Sequence, residues 1–250
     1  AKEQEDYYRV STTDIALEST VAWWLRRNVL RVGGGAAFRY FDVREKPERF
    51  VSRDSLRALG YPRVQLGIGA GALMDTRDHP WHPHGGVYLL ATVWNYGDPF
   101  KGQSPFQRAA ADCRAWWGDT LGLDMVLAVR AAGEVIFGDY PFYESAFLGG
   151  ASSLRGFPQQ RYAGDASLFG SVELRIALFR PKVIIPVEVG VLLLADAGRV
   201  WVGGNSPGGP HTDAGGGMWF APMNRDVILS FTLASSVDGL FFNAGAGFNY

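Results

Sequence analysis

Eleven stretches of this chain alternate apolar and polar residues, Val87–Tyr96 less cleanly than the rest, and most run to roughly 10–15 residues, about twice the length of a soluble strand. They are Asp14–Arg26, Val29–Val43, Arg63–Arg77, Val87–Tyr96, Phe106–Trp117, Asp124–Gly138, Ala166–Arg180, Pro186–Trp201, Asp213–Phe220, Asp226–Val237 and Leu240–Tyr250. In the first, Ile15, Leu17, Val21, Trp23 and Leu25 oppose Asp14, Glu18, Thr20 and Arg26. In Ala166–Arg180, Leu168, Val172, Leu174, Ile176 and Leu178 oppose Ser167, Ser171, Glu173 and Arg175. No segment repeats at helical spacing, so the fold class is all-β.

Two architectures accept many antiparallel strands: a soluble sandwich or barrel, and a transmembrane barrel. Length and the polar face separate them. A strand must reach about 9–11 residues to cross a bilayer at its usual tilt. The second face also carries charges of both signs, which a dry core would reject but a wet lumen accepts. The pattern therefore predicts a transmembrane antiparallel β-barrel, apolar face to the lipid and charged face inward.

The connections alternate as well. Arg27-Asn28, Gly118–Gly122, Pro181–Ile185 and Pro222–Arg225 are short, whereas Arg44–Gly60, Asp139–Asp165 and Val202–His211 are long. Short turns at one end and long loops at the other mark an outer-membrane barrel. This places the loops outside and the C-terminus at the periplasmic edge. An even count needs one more strand, which Asp6–Thr12 can supply, giving about 12 strands, or 10 if the first segments are not strands. The whole of 1–250 reads as one barrel domain with the lipid bilayer as its solvent.

Composition excludes several function classes. Lys+Arg 24 against Asp+Glu 25 gives a net charge of -1, with no electrostatic case for nucleic acid. One cysteine, Cys113, provides neither a disulfide framework nor a thiolate metal site. No run approaches the ~20 apolar residues of a membrane-spanning helix. No leader is visible at Ala1, so the chain reads as mature or as part of something longer.

The longest informative connection is residues 139–165, rich in Gly, Ser, Pro and aromatics. Phe142, Tyr143, Phe147, Leu148, Leu154 and Phe157 would be costly to leave in water, so this loop is expected to fold. At its centre lies Gly149-Gly150-Ala151-Ser152-Ser153-Leu154-Arg155-Gly156-Phe157.

That run resembles the (V/L)RGF loop of the BamA/TamA-type outer-membrane assembly and translocation superfamily, the bacterial surface antigen barrels. Glu173-Leu174-Arg175 is similar to the acidic strand that follows this loop, and Leu194 to Trp201 (LADAGRVW) to its aromatic-x-Asp-x-Gly-x-Val-Trp strand, with Leu for the aromatic. Asp75-Thr76-Arg77-Asp78, then Pro83 and Gly85-Gly86, resembles the DxRD…P…G hairpin. The end, Gly247-Phe248-Asn249-Tyr250, is like the C-terminal signal read by the assembly machinery.

The resemblance implies a loop folded into the lumen, with Arg155 locked to Asp196 and Glu173, and Phe248 and Tyr250 as the assembly signal. Gly149, Gly150, Leu154, Gly156 and Phe157 complete the loop motif. It also implies membrane protein insertion or polypeptide translocation in a bacterial outer membrane, with the assembly machinery and a client polypeptide as partners. The alternative is a small structural or membrane-anchoring barrel, the C-terminal anchor of a longer protein, without insertase activity. Family barrels have sixteen strands behind periplasmic POTRA domains. This chain has neither the length for sixteen strands nor a POTRA pattern.

Other clusters read as structure. His79, His82 and His84 lie between Pro80 and Pro83 without a trustworthy carboxylate spacing, so a solvated turn is expected, and no metal. Asp75, Arg77 and Asp78 suit lumenal pairing and turn formation. Ser206 with His211 does not make a hydrolase, and no catalytic residue or cofactor is expected. Trp23, Trp24, Trp94, Trp116, Trp117, Trp201 and Trp219 fall near strand ends, as aromatic girdles do. Parity puts Phe248 and Tyr250 on the outward face with Leu240 and Phe242.

Overall fold

The computed structural model of the protein describes residues 12–44, 63–100, 105–119, 124–181, 186–222 and 227–248. Its strands are β1 (Thr12–Arg26), β2 (Leu30–Val43), β3 (Arg63–Asp75), β4 (Gly85–Gly97), β5 (Phe106–Asp119), β6 (Met125–Gly138), β7 (Ala146–Leu148), β8 (Tyr162–Gly164), β9 (Ala166–Phe179), β10 (Val187–Trp201), β11 (His211–Pro222), β12 (Leu229–Ser236) and β13 (Gly239–Ala246). All but β7 and β8 form one 11-stranded antiparallel sheet in chain order. The remaining pair is a small hairpin inside the long loop, Ala146 facing Gly164 and Leu148 facing Tyr162. Each of the eleven alternating segments is thus a strand. The proposed extra strand at residues 6–12 lies outside the described residues, except for Thr12, which begins β1.

The alternation sorts the wall into two faces. Leu17, Ile68, Leu193 and Leu240 stand exposed on the outer, lipid-facing side. The next residues along the same strands point inward, so Glu188, Leu192, Leu194 and Asp196 of β10 are buried. The sheet curls far enough for one residue to touch distant strands. Glu144 in the loop binds Arg39 of β2 and Arg108 of β5, while the Arg155 carbonyl accepts from Asn243 of β13. Among the described residues β1 and β13 are the edges of the sheet.

Two expectations change at the end of the barrel that carries the short turns. Gly247 has φ 90°, open to glycine but costly for other residues, and this breaks the alternation after β13. Phe248 therefore turns inward, away from exposed Leu240 and Phe242, and meets Trp219 edge-on at 5.8 Å. The Arg175 guanidinium lies over its ring at 3.7 Å. The His79–His84 turn is not wholly solvated either. It folds beneath the wall, burying His82 and Pro83, with the His82 ring 5.4 Å from Trp219 and 5.6 Å from Phe248. His82, Trp219 and Phe248 together form one aromatic cluster at this end of the lumen.

The tryptophans divide between the faces. Trp23 and Trp117 are exposed on the outside, Trp24 faces the other way under the Arg31 guanidinium at 4.8 Å, and Trp116 and Trp219 are buried. Trp94 lies against Gly69 inside the lumen, where a Cβ on the glycine would clash with the indole.

Candidate functional site

The loop enters from β6 and turns at Phe142–Glu144, one 3-10 turn. The β7–β8 hairpin then carries its tip into the lumen. The tip is shaped by Gly149 and Gly150, at φ 117° and 89°. These left-handed positions let the Gly150 amide reach the carbonyls of Leu154 and Phe157, both at 3.1 Å. The Gly149 amide donates to Ser153 Oγ at 2.9 Å. Folded this way, Leu148, Leu154 and Phe157 bury themselves against Ala132 of β6, Phe169 of β9 and Val200 of β10. Gly198 on β10 keeps this seat open, since a Cβ there would press on Leu148, Leu154 and Phe169 at 3.0–3.1 Å.

The apolar seat aims Arg155 at the wall. Its backbone amide and Nε donate to Asp196 Oδ2 at 3.2 and 2.8 Å, and its Nη2 to Asp196 Oδ1 at 2.7 Å. Nη2 also donates to Ser171 Oγ at 2.9 Å, and Nη1 to Glu173 Oε1. Arg175 Nε donates to the other Glu173 oxygen at 2.9 Å. The side chains of Arg155, Arg175, Glu173 and Asp196 are each at most 2% exposed. Charges this dry persist because each is paired through hydrogen bonds, and the flat guanidinium fork matches two carboxylates at once. Gly156 passes so close to β11 that a Cβ would lie 2.5 Å from that of Asp213.

The loop has further fastenings that the sequence did not single out. Glu144 is buried, with Arg108 Nη2 donating to it at 2.8 Å and Arg39 Nη1 on its other oxygen. Tyr143 stacks on Phe41 of β2 at 3.8 Å. Arg130 of β6, paired with Asp112 of β5, donates to the Ser152 carbonyl at 2.9 Å. At the loop's outer rim Tyr140 OH donates to Asp165, which also accepts from the Gly203 amide. Those bonds hold the Asp165 carboxyl below the usual carboxylate range. Burial, and then the Asp165 carboxylate, push the Tyr140 hydroxyl up to about 12.

The other sequence candidates fall elsewhere. Arg77 pairs with Asp75 at 2.7 Å, while Asp78 accepts from the amides of His84 and Gly85 and so shapes the turn. His84 contacts Asp124 at 2.9 Å. Ser206 bonds Arg199 and the Val200 carbonyl, and His211 stacks on Tyr162 at 3.7 Å. Tyr250 lies outside the described residues.

A buried Arg on a motif loop inside a β-barrel narrows the families to compare. The Omp85 superfamily domain matches residues 1–237. The chain belongs to the Omp85 superfamily. As an Omp85 barrel it is a bacterial outer-membrane protein. Its fold is similar to the crystal structure of BamA from Haemophilus ducreyi lacking POTRA domains 1-3, with a TM-score of 0.71 at 16% identity. The match covers 95% of this chain and 55% of that one, so this Omp85 chain spans about half the length of the solved BamA. A comparison with curated proteins found no match.

Proposed function

We propose that this chain is an outer-membrane barrel that handles polypeptide, by inserting membrane proteins or translocating chains, and that loop 139–165 is its lumenal plug. Arg155, Asp196 and Glu173 are the lock that keeps the plug docked. The observation that carries this reading is the dry Arg155 fork across β9 and β10, in a chain of the Omp85 superfamily. Three desolvated charges contribute little net stability compared with an apolar seat, but they fix one loop position. On this reading the loop end faces outward and the turn end, with the C-terminus, faces the periplasm. The partners are the lipid bilayer, the outer-membrane assembly machinery and a client polypeptide. Phe248 and Tyr250 are the signal by which the barrel itself is delivered.

Reconstitution tests the activity. The full chain in liposomes is given a urea-denatured small outer-membrane barrel, and the folded, protease-resistant client is followed over time. Acceleration over empty liposomes, reduced by Arg155→Ala, supports insertion. Protease protection of an unfolded client inside the vesicles supports translocation. Neither result would leave the second reading, a structural or anchoring barrel. That reading is favoured by the His82–Trp219–Phe248 cluster, which packs into the turn end while the loop fills the other.

A further inference from the structure

Arg155 fastens the loop to the C-terminal half of the wall, on β9 and β10. Glu144, in the same loop, reaches the opposite half. It takes Arg39 of β2 and Arg108 of β5, and Arg39 in turn grips Asp14 of β1 through Nε at 2.9 Å and Nη2 at 2.6 Å. Tyr143 adds its stack on Phe41 of β2. The chain of contacts therefore runs from Asp196 through the loop to β1, an edge of the sheet among the described residues.

Apolar packing of the loop on that side is small, Tyr143 against Phe41 and Val43. Four inward positions on β2 and β3 are glycines, Gly33, Gly35, Gly69 and Gly71, and they border a cavity of about 310 Å³ with Thr92 and Trp94 of β4. The glycines leave the charged contact at Glu144, with the Tyr143 stack beside it, as the bridge. A buried carboxylate shared by two arginines is costly to leave with either partner missing, so the arrangement is kept or released as a unit.

We propose that the loop is a tie across the barrel, with Glu144 as its second anchor, and that it holds the pair β1–β2 against the C-terminal half of the wall. Glu144 is a positioning residue. Undocking Arg155 alone then slackens β1–β2, although Arg155 touches neither strand, because a tie cut at either end carries no tension. The proposal rests on the plug reading and adds to it a second anchor, Glu144, on the β1–β2 side.

Hydrogen exchange on the full chain in liposomes tests the tie without any client, so its outcome is separate from that of the insertion assay. Glu144→Gln keeps the shape and removes the charge. It is expected to speed exchange in Thr12–Val43 on the order of tenfold and leave β10–β11 unchanged. Arg155→Gln is expected to speed exchange in those same residues. The double variant should exchange there no faster than the faster single variant, since both changes cut one tie. Two merely structural contacts would instead add. Unchanged β1–β2 exchange in either single variant, or additive effects in the double, would overturn the proposal. Should Glu144→Gln fail to refold, Tyr143→Leu keeps the ion pairs and removes the Phe41 stack. Faster exchange in β2 then supports the tie, and unchanged exchange overturns it.

Discussion

Arg155 meets Asp196 at three points, through its own backbone amide, Nε and Nη2. The backbone contact means that the carboxylate reads the loop's position as well as its charge. Arg155→Ala removes two of these bonds and leaves Asp196 and Glu173 buried with fewer partners. It is expected to cost about 3–5 kcal/mol where the site stays dry. Arg155→Lys should recover little, because an ammonium cannot span both carboxylates. The temperature at which the folded band disappears on unboiled gels measures both. Equal midpoints for parent and Arg155→Ala would show that the contact holds nothing.

Gly156 tests the seat rather than the charge. A methyl group there would collide with the Cβ of Asp213 and approach the Ser235 backbone. Gly156→Ala should therefore lift the tip with Arg155 intact, at about 1–3 kcal/mol, as overpacking does. Protease accessibility of residues 149–157 reports it. A loop as protected as the parent's would mean that the tip is not seated against β11.

The loop rim has its own pH dependence. The Asp165 carboxyl sits below its ordinary value, so its contribution is complete above the usual carboxylate pKa of ~3.9 and fades as pH falls through the lowered one. The Tyr140 hydroxyl is raised to about 12, so its contribution is complete below the ordinary tyrosine pKa and is lost as pH rises toward 12. Loop protection in the parent should exceed that of Tyr140→Phe at neutral pH, and the difference should shrink at both extremes. A constant difference across the range would contradict the assignment.

Phe248 carries two separable expectations. Its inward packing with Trp219, His82 and Arg175 predicts that Phe248→Ala loosens the turn end, by roughly 1–3 kcal/mol for a half-buried aromatic. Its proposed signal role predicts loss of delivery to the outer membrane in cells. Refolding in detergent measures the first and surface fractionation the second. A variant that refolds like the parent yet is not delivered supports the signal alone. One that refolds poorly yet is delivered supports packing alone.

What the sequence revealed follows from the range of the physics involved. Period-two alternation is local, so all eleven wall strands and the inward faces of most could be read from it, with Glu173 and Asp196 among the inward residues. The Arg155 partners lie 18 and 41 positions away and came from motif likeness joined to parity. Glu144 has no such signal: it sits outside any alternating segment, and its partners Arg39 and Arg108 meet only once the sheet curls. Phe248 was misplaced because one positive-φ glycine resets the alternation. His82 was read as solvated because nothing local shows a turn folding under a lumen.

Ion conductance in planar bilayers tests the central claim, that the loop fastened by Arg155 and Glu144 closes this barrel, most directly. The parent should stay closed, and the chain carrying both Arg155→Ala and Glu144→Gln should conduct steadily. A parent that conducts as freely as the double variant would contradict the account.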